Sequence, residues 1–254
     1  MLRSTQELLK YRLDAADGRI GMVKDLYFDD HTWTIRYFVA DTGKWLPGRK
    51  VLISPASAGE PDWDAGTLPV ALTVRQIEDS PPIESHRPVS RRHETTLAGY
   101  YGWPAYWTPV GVPAGGMVSA AAAAAPPPPE PEETEDEDPH LRSVGEVTGY
   151  RIHATDGEIG HVEEFFVRTG AWIIRYIGVD TRNWLPARKV LISPAWIDRI
   201  SWSRGEVFVR AGRDDVRDSP RYDPNEPISP RYEQQLEEHY GRLHRRQEAA
   251  DRHT

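Results

Sequence analysis

The sequence predicts a mainly β protein: two small antiparallel β-barrels in tandem, each followed by a C-terminal α-helix, joined by a disordered linker. Three observations predict it. The chain lies on itself without a gap at an offset of 139 positions, residues 2–102 against 141–241. About two residues in five are identical, and the repeat is far longer than the roughly 20–50 residues of a solenoid unit, so each copy is expected to carry its own core. Each copy holds several short β-branched and aromatic stretches separated by Gly, Pro and Asp turns at spacings of about 8 to 15 residues, the pattern of a small barrel. Each copy then changes to a helical period after Asp79-Ser80-Pro81 and Asp218-Ser219-Pro220.

In chain order, 12–15 and 19–28 flank Asp17-Gly18, and 151–154 and 158–167 flank Asp156-Gly157, a strong hairpin signal in which glycine is expected to supply a positive φ. Residues 172–179 alternate as a strand. Residues 50–54 and 189–193 form a buried strand ended by proline, and 67–72 matches 206–211 as a further one. Ser90 and Ser229 are good N-caps, and Pro230 suits the first helical position. The terminal helices should run over 91–101 and 230–248, with Leu97 and Tyr101, or Tyr232, Leu236 and Tyr240, on one face.

These boundaries divide the 254 residues into 1–110, a linker at 111–139, and 140–254. The linker passes through the alanines 120–125 and the prolines 126–129 to an acidic run in which seven acids lie between Glu130 and Asp138. Polyproline stiffens such a segment and like charges extend it, so it reads as a spacer. That run holds most of the net charge of -8, which leaves the two copies near neutrality and argues against a nucleic-acid partner. Cysteine is absent, excluding disulfides and thiolate chemistry. The first residues lack a signal-peptide core, and no apolar run reaches the ~18 residues of a membrane span, so the expectation is a cytoplasmic protein without a membrane span.

The residues shared by the copies are mostly Gly, Pro, aromatic and aliphatic. The order Asp-Gly-x-Ile-Gly-x-Val from Asp17 and Asp156, Trp-x-Ile-Arg-Tyr from Trp33 and Trp172, Asp41-Thr42 and Asp180-Thr181, Trp45-Leu46-Pro47 and Trp184-Leu185-Pro186, and Arg-Lys-Val-Leu-Ile-Ser-Pro from Arg49 and Arg188 resembles the PRC-barrel family. That family is named for the barrel of the photosynthetic reaction-centre H subunit, and a related module occurs in a ribosome-maturation factor. The likeness covers about the first 75 residues of each copy. It implies a bacterial binding or scaffold barrel with no cofactor and no catalytic residue. The chain departs from the H subunit in lacking a membrane helix, and from the ribosome factor in carrying two such copies.

No histidine position is shared: His31 faces Gly170, and His153, His161, His239 and His244 face Asp14, Met22, Tyr100 and Ala105. This predicts no catalytic, metal or cofactor site common to both copies. The shared charges Arg36, Asp41, Arg175 and Asp180 read first as strand-and-turn pairs, with a ligand-binding charge pocket at the barrel mouth or between the barrels as the sharper alternative. Copy one alone ends with Tyr100, Tyr101, Trp103, Tyr106 and Trp107, a density that marks an interface or a segment folded back on the barrels. The predicted function is therefore non-catalytic: the copies pair with each other or between chains and bind an unknown protein. Ribosome or RNA association and small-molecule binding at the inter-barrel cleft are the alternatives.

Overall fold

The computed structural model describes residues 1–47, 49–84, 89–107, 140–181 and 188–251, with side chains up to Leu243 and without that of Glu84. The linker at 111–139 and the Trp184-Leu185-Pro186 motif lie outside them. The first half runs β1 (Leu2–Ser4), α1 (Thr5–Leu8), β2 (Arg12–Asp14), β3 (Arg19–Asp29), β4 (Thr34–Asp41), β5 (Arg49–Ile53), β6 (Thr67–Pro69), α2 (Val74–Glu78), β7 (Ile83–Glu84) and α3 (Arg91–Tyr101). The second follows as β8 (Leu141–Ser143), α4 (Val144–Val147), β9 (Arg151–Ala154), β10 (Gly157–Arg168), β11 (Ile173–Asp180), β12 (Lys189–Ile192), β13 (Ile197–Ser201), β14 (Glu206–Val209), α5 (Arg213–Arg217) and α6 (Pro230–Asp251).

The strands join in one large mixed sheet that stays open. The expectation of purely antiparallel barrels is corrected on one point: β6 runs parallel to β2, and β14 parallel to β9. In each half the strand after the β4 or β11 partner breaks at Pro55 or Pro194, which opens a 3₁₀ turn capped by Ser54 or Ser193. Proline lacks the ladder donor, so pairing lapses there. In the first half it resumes as the isolated bridges Ala58 to Val70 and Asp62 to Thr67, whereas in the second it resumes as the hairpin of β13 and β14.

The halves are tied by reciprocal exchange. β3 and β10 are long, and each pairs its own hairpin partner along its first part only. The remaining edge of β10 takes β1 of the first half, Leu2 opposite Arg168, and that of β3 takes β8 of the second, Leu141 opposite Asp29. Between these strands the turn tryptophans Trp33 and Trp172 adopt left-handed φ of 54° and 55°. Their carbonyls accept the N–H groups of Ile174 and Ile35, each at 2.7 Å. Phe28 lies 5.8 Å from Phe165 and Phe38 4.8 Å from Trp172 between ring centres, so one hydrophobic cluster runs through both halves. A smaller cluster of Phe166, Tyr176, Leu191, Tyr222, Leu236, Tyr240 and Leu243 sits beneath α6. No helix among the described residues is long and apolar enough to cross a membrane.

Two carboxylates at matching positions lock the exchange. Asp25 accepts the N–H of Gly145 at 3.0 Å and the hydroxyl of Ser143, and Glu164 accepts the hydroxyl of Ser4. Those serines are the N-caps of α4 and α1 in the opposite half. Burial raises the pKa of both acids, with the serine hydroxyls opposing it. A folded pKa above the unfolded one gives stability that is full below the unfolded pKa and is lost as pH rises through the folded value. The melting temperature of the wild type minus that of Asp25→Asn/Glu164→Gln is therefore expected to fall as pH climbs above the ordinary carboxylate values of 3.8 and 4.5. A difference independent of pH between 4 and 8 would contradict this.

Candidate functional site

Most of the shared charges hold the fold. Arg49 donates to the carbonyls of Glu78 and Ser80, both at 2.8 Å, and so closes the end of α2; its counterpart Arg188 donates to the carbonyl of Ser219 after α5. Asp17 and Asp156 accept the N–H groups of Val74 and Arg213 at the start of the same short helices, at 2.7 and 2.8 Å. Tyr11 and Tyr150 donate to the carbonyls of Trp63 and Trp202. Asp41 accepts the N–H of Gly43 at 2.9 Å in a turn, and the buried Asp180 lies 3.5 Å from Nε2 of His161. The single charge pocket of Arg36, Asp41, Arg175 and Asp180 is not formed. Arg36 and Asp41 stand near opposite ends of β4, as Arg175 and Asp180 do on β11. Five residues of strand span about 17 Å, which holds each arginine away from its aspartate.

Four of the predicted residues do meet. Arg36, Trp103, Tyr106 and Trp107 line a cavity of about 730 Å³ together with Met1 and the 169–172 turn of the second half. Its floor is the outer face of β4 and its roof is the segment after α3. That segment leaves the helix at Gly102, a left-handed C-cap with φ 71°, which turns Trp103 inward. Trp103 stacks on Tyr101 at 4.3 Å and donates its Nε1–H to the Ser57 hydroxyl at 2.6 Å. The guanidinium of Arg36 lies 3.7 Å over the Tyr106 ring and 3.8 Å from Asp29, and Arg91 lies 4.6 Å from the Trp107 ring centre. The aromatic run therefore folds back on its own protein.

Behind this wall sits a polar cluster that the sequence reading passed over. Glu94 is 2% exposed and accepts the phenol hydroxyls of Tyr106 at 2.5 Å and Tyr37 at 3.1 Å, while Arg91 pairs with its other oxygen at 2.8 Å. Burial raises its pKa against the pull of Tyr106, Arg91 and Tyr37, and burial with the neighbouring Glu94 raises both phenols, which stay protonated as donors. Glu94 matches Glu233 in the repeat, so its retention on the first helical turn was a signal available in the sequence.

The second half has a related but differently filled cavity of about 410 Å³ between β11 and α6, lined by Arg175, Tyr176, Trp196, Arg210, Glu237 and Tyr240 among others. Here Glu233 turns to Arg168 at 2.7 Å and Arg175 pairs with Glu237 at 3.5 Å. The Tyr176 hydroxyl is buried with no hydrogen-bond partner among the described residues, and burial pushes its pKa up to about 12.

No family model matches the chain. A segment is similar to an uncharacterised protein of Deinococcus radiodurans, 38% identical over 61 residues, which cover 24% of this chain and 22% of that protein.

Proposed function

We propose that the chain is a non-catalytic binding or scaffold protein made of two PRC-barrel-like halves. In this reading each half is a barrel in which the proline kink after β5 or β12 takes the place of hydrogen-bonded closure, and the halves act as one pseudo-twofold body. Their shared charges are spent on turns and short helices, which supports binding over catalysis. The observation that carries the reading is the convergence of Arg36, Trp103, Tyr106 and Trp107, from separate stretches, on one cavity that also takes in the second half. Arginine and aromatic side chains at a concave site are the residue types that anchor protein partners.

The test is affinity capture from the native host with the wild type and with Arg36→Ala and Tyr106→Ala. The expected result is one recurrent protein that the wild type retains, with at least tenfold less recovered by either variant. Equal recovery by all three would overturn the reading. Retention on ribosomes at low salt, lost on nuclease treatment, would replace it with the assembly-factor alternative.

A further inference from the structure

The turn between β3 and β4 meets the residue that enters β8, and this contact brings together three ligand-type side chains: Asp30, His31 and His140. One ligand atom from each lies within 4.8 Å of the other two. The local backbone fixes all three. Asp29 accepts the N–H groups of His31 and Thr32 at 3.0 and 2.9 Å, which sets the turn, and the Asp30 N–H donates to the His140 carbonyl at 3.1 Å, which holds the two segments in register. The imidazole rings sit 5.0 Å apart, edge to face.

The Asp30 carboxylate supplies the second, independent observation. Its side chain is 10% exposed, and Arg142 donates to Oδ2 at 2.9 Å, orienting the group from behind. Oδ1 is buried and accepts no well-aligned hydrogen bond among the described residues, while Nδ1 of His31 stands 2.9 Å away as an ion-pair contact. A nitrogen and an oxygen 2.9 Å apart also have the spacing of two ligands aimed at a common point. Ligands about 2.0–2.1 Å from a metal are about 2.9 Å apart in cis octahedral positions and about 3.3 Å apart in a tetrahedron. An outer-shell hydrogen bond to the ligating carboxylate, as from Arg142, is the usual support of such a site.

We propose that Asp30, His31 and His140 form a binding site for a divalent transition-metal ion of the zinc class. Two imidazoles and one carboxylate suit zinc, nickel or cobalt, whereas magnesium and calcium prefer all-oxygen shells. The exposed side of His31, 70% accessible, leaves coordination positions open to water. The arrangement occurs once in the repeat, because Thr169, Gly170 and Met1 occupy the positions matching Asp30, His31 and His140. Its ligands come from both halves, so the ion would bridge the first half to the start of the second.

The experiment uses the full chain, freed of metal with chelator, titrated with Zn²⁺ by calorimetry and with Co²⁺ by visible absorption, and with Mg²⁺ for comparison. Expected are one Zn²⁺ per chain, ligand-field bands with Co²⁺, no binding of Mg²⁺, and a melting temperature raised by Zn²⁺. His31→Ala and His140→Ala should each weaken Zn²⁺ at least tenfold while their metal-free melting temperatures stay near that of the metal-free wild type. Both changes spare the Asp30–Arg142 pair, so failure to fold does not obscure the result. Absence of Zn²⁺ binding, or binding that both variants retain in full, overturns the proposal.

Discussion

Gly160→Ala is expected to leave little folded protein. A Cβ on Gly160 would stand 2.0 Å from the Asp180 carbonyl oxygen and 2.9 Å from its carbon, and one on Gly21 would stand 1.9 Å from the Asp41 oxygen. Both obstacles are backbone, so no side chain can move aside. The two glycines sit at register shifts where β3 and β10 bend away from their hairpin partners, with φ of 156° and 134°, a region that residues with a Cβ avoid. Relief requires parting β10 from β11, the most extensively paired strands of the second half. A loss above about 4 kcal/mol is expected, a large share of the ~5–15 kcal/mol that holds a typical domain. Gly43→Ala is the contrast: φ is 58° but nothing lies within 4 Å, so only conformational strain of about 1 kcal/mol is expected. Soluble yield and urea midpoints measure the difference, and a Gly160→Ala midpoint close to that of Gly43→Ala would refute the steric account.

The sequence reading succeeds where a local cause decides the structure. Helix α3 begins after Ser90 and ends at Tyr101, because the serine hydroxyl caps the His93 amide and Gly102 is left-handed. The hairpins and the proline-ended strands also follow from short-range signals. One local detail fails: Gly18 takes no left-handed φ, while its counterpart Gly157, at 147°, begins β10 after the turn residues Thr155 and Asp156. What pattern alone does not show is tertiary. β1 and β8 are three residues each, too short to carry a period, and exist because the opposite half offers an open strand edge. For the candidate residues, the copy-to-copy comparison selects what both halves need. It therefore finds Arg49 and Gly21, but it passes over His31 and His140, each without a histidine at the matching position of the other copy and 109 positions apart. Spacing along the chain separates Asp41 from Arg36 by only five residues, yet the extended strand carries them apart.

Phe165→Ala should destabilise the whole molecule, and the shape of its unfolding curve tests whether the halves are one cooperative unit. Phe165 is fully buried, packs against the fully buried Phe28, and lies in β10 between β11 and the exchanged segment of the first half. Deleting a buried phenyl ring costs about 3–5 kcal/mol. Phe28→Ala, on the other side of the same ring contact, should cost a similar amount. Because the two rings touch, the double variant should fall short of the sum by about 0.5–1.5 kcal/mol, the usual coupling of an aromatic pair. If β1, β8 and the shared core make the halves interdependent, each variant shows a single calorimetric transition moved to lower temperature. Were the halves independent, Phe165→Ala would split the curve: the second half would melt early, while the first would keep its own transition at the wild-type temperature. Such a split, together with additivity of the two substitutions, would overturn the account of a jointly folded pair.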